Sequence, residues 1–204
     1  MPRALHTPSL ERRDNEMSLN PLIPIGQNFM FGNLRSLAEQ DASGMLEWMR
    51  DLKVNRWFVQ DFSSMDKESA SRFIQESWSN RESLHLAVDD GSGGYLGTIS
   101  LKNIDCISRS AEYAIALRSA AHGTGVAQRA TSCLLQLARD KMGLTEVYLN
   151  VLRDNSRARA FYEKVGFMLL VGPPAVASAN QADKGIDLVW YEMRLIASDS
   201  TLLT

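Results

Sequence analysis

The chain has 204 residues, of which 45% are hydrophobic and 23% charged, with a formal net charge of −2. That length suits one domain with tails and a core of real size. The near-neutral balance offers no basic field for nucleic acid or an anionic membrane surface, and no apolar run of about 18 residues is present to span a bilayer.

Residues 1–28 contain Pro2, Pro8, Pro21 and Pro24, mixed charge and no leader-like apolar core, so they read as a tail. Residues 198–204 read the same way, which leaves 29–197 as the folded domain. A first strand is expected over 29–37. Asp41 stands where an N-cap would open a helix running through Met45 and Trp48 to about Leu52. A second helix is expected from Asp66 to Trp78, with Ala70, Phe73, Ile74 and Trp78 on one stripe. Leu84–Val88 alternates, Asp89–Gly94 is a hairpin turn, and Tyr95–Leu101 returns. Ala111–Leu117 is a further strand. The helix from Val126 places Ala130, Cys133, Leu134, Leu137 and Ala138 on one face, and Gly143 stops it. Thr145–Val151 is a β-branched strand, Asn155 opens a helix that ends at Gly166, and strands near 167–171 and 186–195 close the domain. This order gives a mixed α/β sheet with flanking helices, not a regular βαβ alternation.

Cys106 and Cys133 fall in no Cys-x-x-Cys or Cys/His spacing, and His6, His85 and His122 are scattered. No metal site is expected, and the thiols read as small hydrophobes in a reducing, cytoplasmic setting.

The junction of strand and helix at 117–127 is the most informative stretch. Gly123 and Gly125 permit positive φ and leave room for a ligand, and the helix that follows opens with unpaired N–H groups and a positive dipole end. A phosphate or pyrophosphate suits such a turn. A dinucleotide fingerprint would need glycine at 128, where Gln128 stands, and no Gly-Lys-Ser/Thr occurs.

His122-Gly123-Thr124-Gly125-Val126-Ala127 resembles the acyl-CoA loop of the GNAT superfamily of N-acetyltransferases, which reads Gln/Arg-x-x-Gly-x-Gly/Ala. It departs only at His122. The family's second element, an Asn followed seven residues later by Tyr within Phe-Tyr-x-x-x-Gly-Phe, is matched by Asn155, Phe161, Tyr162, Gly166 and Phe167. Residues 34–58 are similar to the RimJ/RimL-like branch, which includes ribosomal-protein N-terminal and amino-sugar acetyltransferases. The resemblance implies the GNAT fold, α+β in class, with a mixed, mostly antiparallel sheet of about seven strands. It also implies acetyl-CoA as cosubstrate and an amine as acceptor.

In such an enzyme Ile115, Ala116 and Leu117 together with residues 122–127 hold the donor. Asn155 meets the pantetheine arm and Tyr162 lies by the sulfur. Seven residues are nearly two helical turns, so Asn155 and Tyr162 point the same way about 10 Å apart. The departing thiolate has a conjugate pKa of about 8.5, and a phenol near 10 can share a proton with it. Asn155 also reads as a plain N-cap and Tyr162 as a core aromatic. Glu112 shares a strand face with Ala114 and Ala116, where it takes a proton from the substrate ammonium or serves as a salt bridge. An α-amine with a pKa of about 8 is already roughly a tenth neutral at pH 7, which favours an α-amine or sugar amine over lysine. The acceptor expected is a small amine such as an amino sugar, with a protein N-terminus or non-catalytic acyl-CoA binding as alternatives. Trp48, Arg50, Asp51, Trp57, Trp190 and Tyr191 are the candidates for choosing it. Monomer and homodimer both stay open.

Overall fold

The apolar run at 29–37 does not form one strand. The chain turns at Gly32, where φ is 61°, so that Met30–Phe31 (β1) folds back on Leu34–Ser36 (β2). A side chain at position 32 would strike the Cys133 sulfur, 2.6 Å from where its Cβ would sit. The computed structural model describes residues 28–62, 64–177 and 186–196, so both expected tails fall almost wholly outside the described residues.

Asp41 does not cap a helix. It ends a short 3₁₀ turn in helical conformation, and its side chain caps nothing in Ala42–Arg50 (α1). Its carboxylate instead takes both terminal nitrogens of Arg35, at 2.7 and 2.9 Å, while Arg35 Nε reaches Asp89 at 2.8 Å. Asp41 is 2% exposed, and this buried triad ties β2, the start of α1 and the next hairpin together. A four-residue helix, Leu52–Asn55 (α2), follows with Asp51 as its true N-cap. Asp66 caps Lys67–Ser77 (α3) as expected, accepting from the Ser69 N–H at 2.8 Å.

Leu84–Asp89 (β3), Tyr95–Asp105 (β4) and Ser110–Leu117 (β5) form an antiparallel meander. Val126–Asp140 (α4) leads to Glu146–Leu152 (β6), Ser156–Lys164 (α5), Met168–Leu170 (β7) and Leu188–Arg194 (β8). The eight strands among the described residues lie in the order β1-β2-β3-β4-β5-β6-β8-β7, one more than expected because the first strand is split. One apolar cluster packs α4 and Tyr162 of α5 on one sheet face. A second packs α1 and α3 on the other, around Trp48, Ile74, Ala87 and Ala116. Among the described residues, no helix is long and apolar enough to cross a membrane.

Among the described residues, only β5 and β6 pair in parallel, and they do so at just three positions, Ser110–Glu146, Ala111–Val147 and Glu112–Tyr148. Beyond them the two strands separate, leaving a wedge inside the sheet.

Candidate active site

The wedge exposes one edge of β5. Arg118 N bonds to Leu96 O at 2.9 Å, and by ladder alternation Ala114 and Ala116 also spend their backbone groups on β4. The N–H and C=O groups of Ile115 and Leu117 therefore point into the wedge, whereas those of Ala116 do not. A cavity of about 1010 Å³ fills this space and runs from the glycine turn to α1 and α3.

At one end lies the turn itself. Gly123 and Gly125 take φ of 79° and 78°, and a Cβ on Gly123 would meet nothing, so the loop's outer side is open to a ligand. Thr124 Oγ1 bonds to Ala121 O at 2.8 Å and braces the loop from within. Because Gly125 is the N-cap of the 15-residue helix α4, no side chain from the cap covers its first N–H groups. Val126 is 2% exposed and belongs to the core, so it can offer a ligand only its backbone.

His122 lines the cavity beside the turn, where Arg157 Nη1 approaches its Nδ1 to 3.3 Å. Burial and then the Arg157 charge push the imidazole below its ordinary pKa, against the pull of the Leu117 carbonyl and Asp51. The charged form of His122 is thus disfavoured, while Arg157 brings a positive charge to this end and Arg129 Nη1 lies beside Gly125. Arg157 was not singled out from the sequence. The signal for it was local, since a cation in the first turn of a helix faces the wrong end of the dipole and calls for another purpose.

Along the cavity, Asn155 caps α5 by accepting the Ala158 N–H at 3.1 Å. That bond fixes Oδ1 as the capping atom and leaves the Nδ2 amide as a donor, so the cap and the ligand contact are compatible. Tyr162, one face further along α5, is 9% exposed and packed by Tyr113, Phe161, Phe167 and Tyr191 at 5.5 to 6.2 Å between centroids. It lines the cavity, and burial pushes its phenol up to about 12. It is a core aromatic and a cavity hydroxyl at once.

Glu112 reaches the cavity from the opposite strand face. Lys102 Nζ donates to its Oε1 at 2.7 Å and Asn103 Nδ2 to its Oε2 at 2.9 Å, so the salt bridge weighed in the sequence is present. Nearby, His85 Nδ1 meets Ser100 Oγ at 2.8 Å, and burial with the Lys102 charge lowers the imidazole to about 4. Trp48 and Trp57 line the cavity, but Arg50, Asp51, Trp190 and Tyr191 do not. Trp190 and Tyr191 are 5% and 0% exposed, and the Tyr191 hydroxyl donates to Glu163 at 2.8 Å. Their aromatic character serves packing, because β8 is covered on both faces. Among the described residues, no group of three His, Cys, Asp or Glu side chains could hold a metal ion.

A split sheet, a glycine turn opening a helix and a buried phenol thus border one cleft. Residues 33–168 match the acetyltransferase (GNAT) domain family, and the chain belongs to that family. It is an acetyl-CoA-dependent N-acetyltransferase. It is similar to the spermidine N(1)-acetyltransferase of Vibrio cholerae, with 28% identity over 132 residues, covering 61% of this chain and 74% of the relative. The mycothiol acetyltransferase of Beutenbergia cavernae is 35% identical over 92 residues, covering 45% of this chain and 30% of that one. The solved structure of Vibrio cholerae spermidine N-acetyltransferase with CoA and spermine superposes with a TM-score of 0.66 at 19% identity, over 79% of this chain and 94% of that one. The microcin C7 self-immunity acetyltransferase MccE, solved with acetyl-CoA and AMP, gives 0.63 at 18% identity, over 79% and 91%. At these identities the two structures share the fold.

Proposed function

We propose that this enzyme moves the acetyl group of acetyl-CoA directly to the primary amine of a small molecule, within one catalytic domain spanning 29–197. An amino sugar is the acceptor indicated by the sequence, and the α-amino group of a protein N-terminus is the alternative. The observation that carries the small-molecule reading is the cavity itself. Its volume of about 1010 Å³ lies at the top of the range of about 300–1,000 Å³ for one small ligand, which suits the reacting ends of two.

In this reading the donor's pyrophosphate sits on the backbone N–H groups of 123–127, with Arg157 supplying positive charge beside them. The pantetheine arm fills the missing strand position in the wedge, against Ile115, Leu117 and the Asn155 amide. The amine enters from the α1–α3 face, so donor and acceptor approach from opposite faces of the sheet. The amine nitrogen attacks the thioester carbonyl, the C–N bond forms and the C–S bond breaks. Tyr162 donates to the departing sulfur, and Glu112 collects the proton shed by nitrogen, directly or through water. Holding both reactants in one geometry supplies much of the acceleration.

The test is free-thiol release from acetyl-CoA across amino sugars, polyamines, other small amines and N-terminal peptides. Turnover of a small amine above every peptide is expected. Acetyl-CoA binding without thiol release for any amine, or a preference for peptides, would overturn the proposal.

A further inference from the structure

The acceptor end of the cavity narrows the amine further, on the small-molecule reading given above. Its wall is a triangle of rings, Trp48, Phe58 and Phe62, with centroids 5.5, 5.5 and 5.6 Å apart. The polar atom of that wall is already used, since Trp48 Nε1 donates to Tyr95 Oη at 3.0 Å and Tyr95 Oη in turn shares a 2.7 Å bond with Thr98. The wall therefore presents ring faces and edges to a ligand. Phe73 extends it, packed at 4.8 Å on the ring of His85.

The charges around the same space are lopsided. Among the described residues, Lys53, Lys102 and Lys164 line the cavity against a single carboxylate, Glu112, whose two oxygens are held by Lys102 and Asn103, while Arg157 adds its charge at the glycine-turn end. One substrate ammonium can approach Glu112. A second would be stripped of water among cations with no further carboxylate among the described lining residues to receive it. A body rich in hydroxyls lying on the rings would set most of them against faces that return no hydrogen bond, with Gln60 and the His85–Ser100 pair as the polar groups beside them.

We propose that the acceptor is a monoamine, carrying one positive charge, whose body is an aromatic ring stacked on the Trp48–Phe58–Phe62 wall. This chemistry differs from that of spermidine, the polyamine for which the Vibrio cholerae relative is named, and replaces the amino sugar to which the sequence points while keeping the small-amine reading.

Thiol release measured with 2-phenylethylamine, glucosamine and spermidine, beside calorimetric titration with CoA alone, tests it. Offset or edge-to-face ring contacts and the missing counter-charge together lead to a kcat/KM for 2-phenylethylamine at least about 100-fold above spermidine and at least about 10-fold above glucosamine. Phe62 is only partly buried. Phe62→Ala is expected to lower kcat/KM for 2-phenylethylamine about 10-fold, chiefly through KM, with CoA affinity unchanged and Phe62→Tyr close to wild type. A preference for spermidine or glucosamine, or an indifferent Phe62→Ala, overturns this inference and leaves the small-amine reading standing. A chain that fails to bind CoA at all overturns the donor reading and this inference with it.

Discussion

Replacing Tyr162 with Phe removes one oxygen and leaves the four ring contacts in place. The hydroxyl bonds to no other described side chain, so its loss orphans no buried partner and stability should move by less than about 0.5 kcal/mol. The effect on turnover follows from the phenol's environment. Burial holds it at about 12, whereas a free thiol titrates near 8.5, so complete proton transfer to the thiolate runs uphill by about 5 kcal/mol. Tyr162 is therefore expected to stabilise the departing sulfur mainly as a hydrogen-bond donor. A bond to a charged group is worth about 1.5–3 kcal/mol, which translates into a fall in kcat of about 10- to 150-fold. The assay is steady-state thiol release with the best amine, alongside CoA affinity by calorimetry. kcat should fall while CoA affinity and thermal midpoint stay put. The active form is the protonated one, lost only as pH rises through about 12, so the wild-type kcat profile should show no alkaline limb from this group near 10. Full turnover in Tyr162→Phe, with CoA bound normally, would refute the donor role.

Arg157→Ala should raise KM for acetyl-CoA by about 10-fold or more, from loss of a charge-assisted contact, yet leave S-acetylpantetheine unaffected because that donor lacks the phosphates. Equal losses with both donors would place Arg157 elsewhere than at the phosphates. At Gly97 an added Cβ would lie 2.2 Å from the Ala116 carbonyl oxygen and 2.8 Å from the Leu117 Cα, both backbone atoms that cannot swing aside. Gly97→Ala should cost about 2 kcal/mol or more in urea unfolding, and an unchanged midpoint would contradict the packing described for β4 and β5. His85 is lowered from 6.5 to about 4 by burial, so its contribution is present above about 6.5 and lost as pH falls through 4. That linkage amounts to about 3 kcal/mol at most, and His85→Gln should flatten the fall in thermal midpoint between those pH values.

The elements legible in the sequence were those whose signal is local. The alternation of Leu84–Val88, the Asp66 cap three residues before Ser69 and the apolar stripe of α4 all appear where periodicity and capping put them. Asn155 and Tyr162 were legible because one helix fixes both, and both line the cavity. What stayed hidden depended on partners far along the chain. Asp41 has the residue type and position of a cap, but Arg35 and, through it, Asp89 draw its carboxylate inward. The salt bridge of Glu112 stayed hidden until the register set Lys102 opposite it, and its role as base belongs to the proposal. The run at 29–37 concealed its turn because apolar residues flank Gly32 on both sides. Trp190 and Tyr191 looked like recognition residues only because a sequence does not show that both faces of β8 are covered.

The three-position pairing of β5 with β6 gives the molecule an unfinished edge in its interior. Unpaired strand edges on a protein's rim invite foreign strands and aggregation. Here helices stand over both faces of the opening, so a full polypeptide strand with its side chains has no way in, while a slender pantetheine arm does. On the proposed function the donor acts as a surrogate strand, and binding it finishes the sheet. Such linkage adds about 1.4 kcal/mol of stability for each tenfold excess of donor over its Kd. The cell's supply of acyl donor would in this way set how stable the enzyme is as well as how fast it turns over.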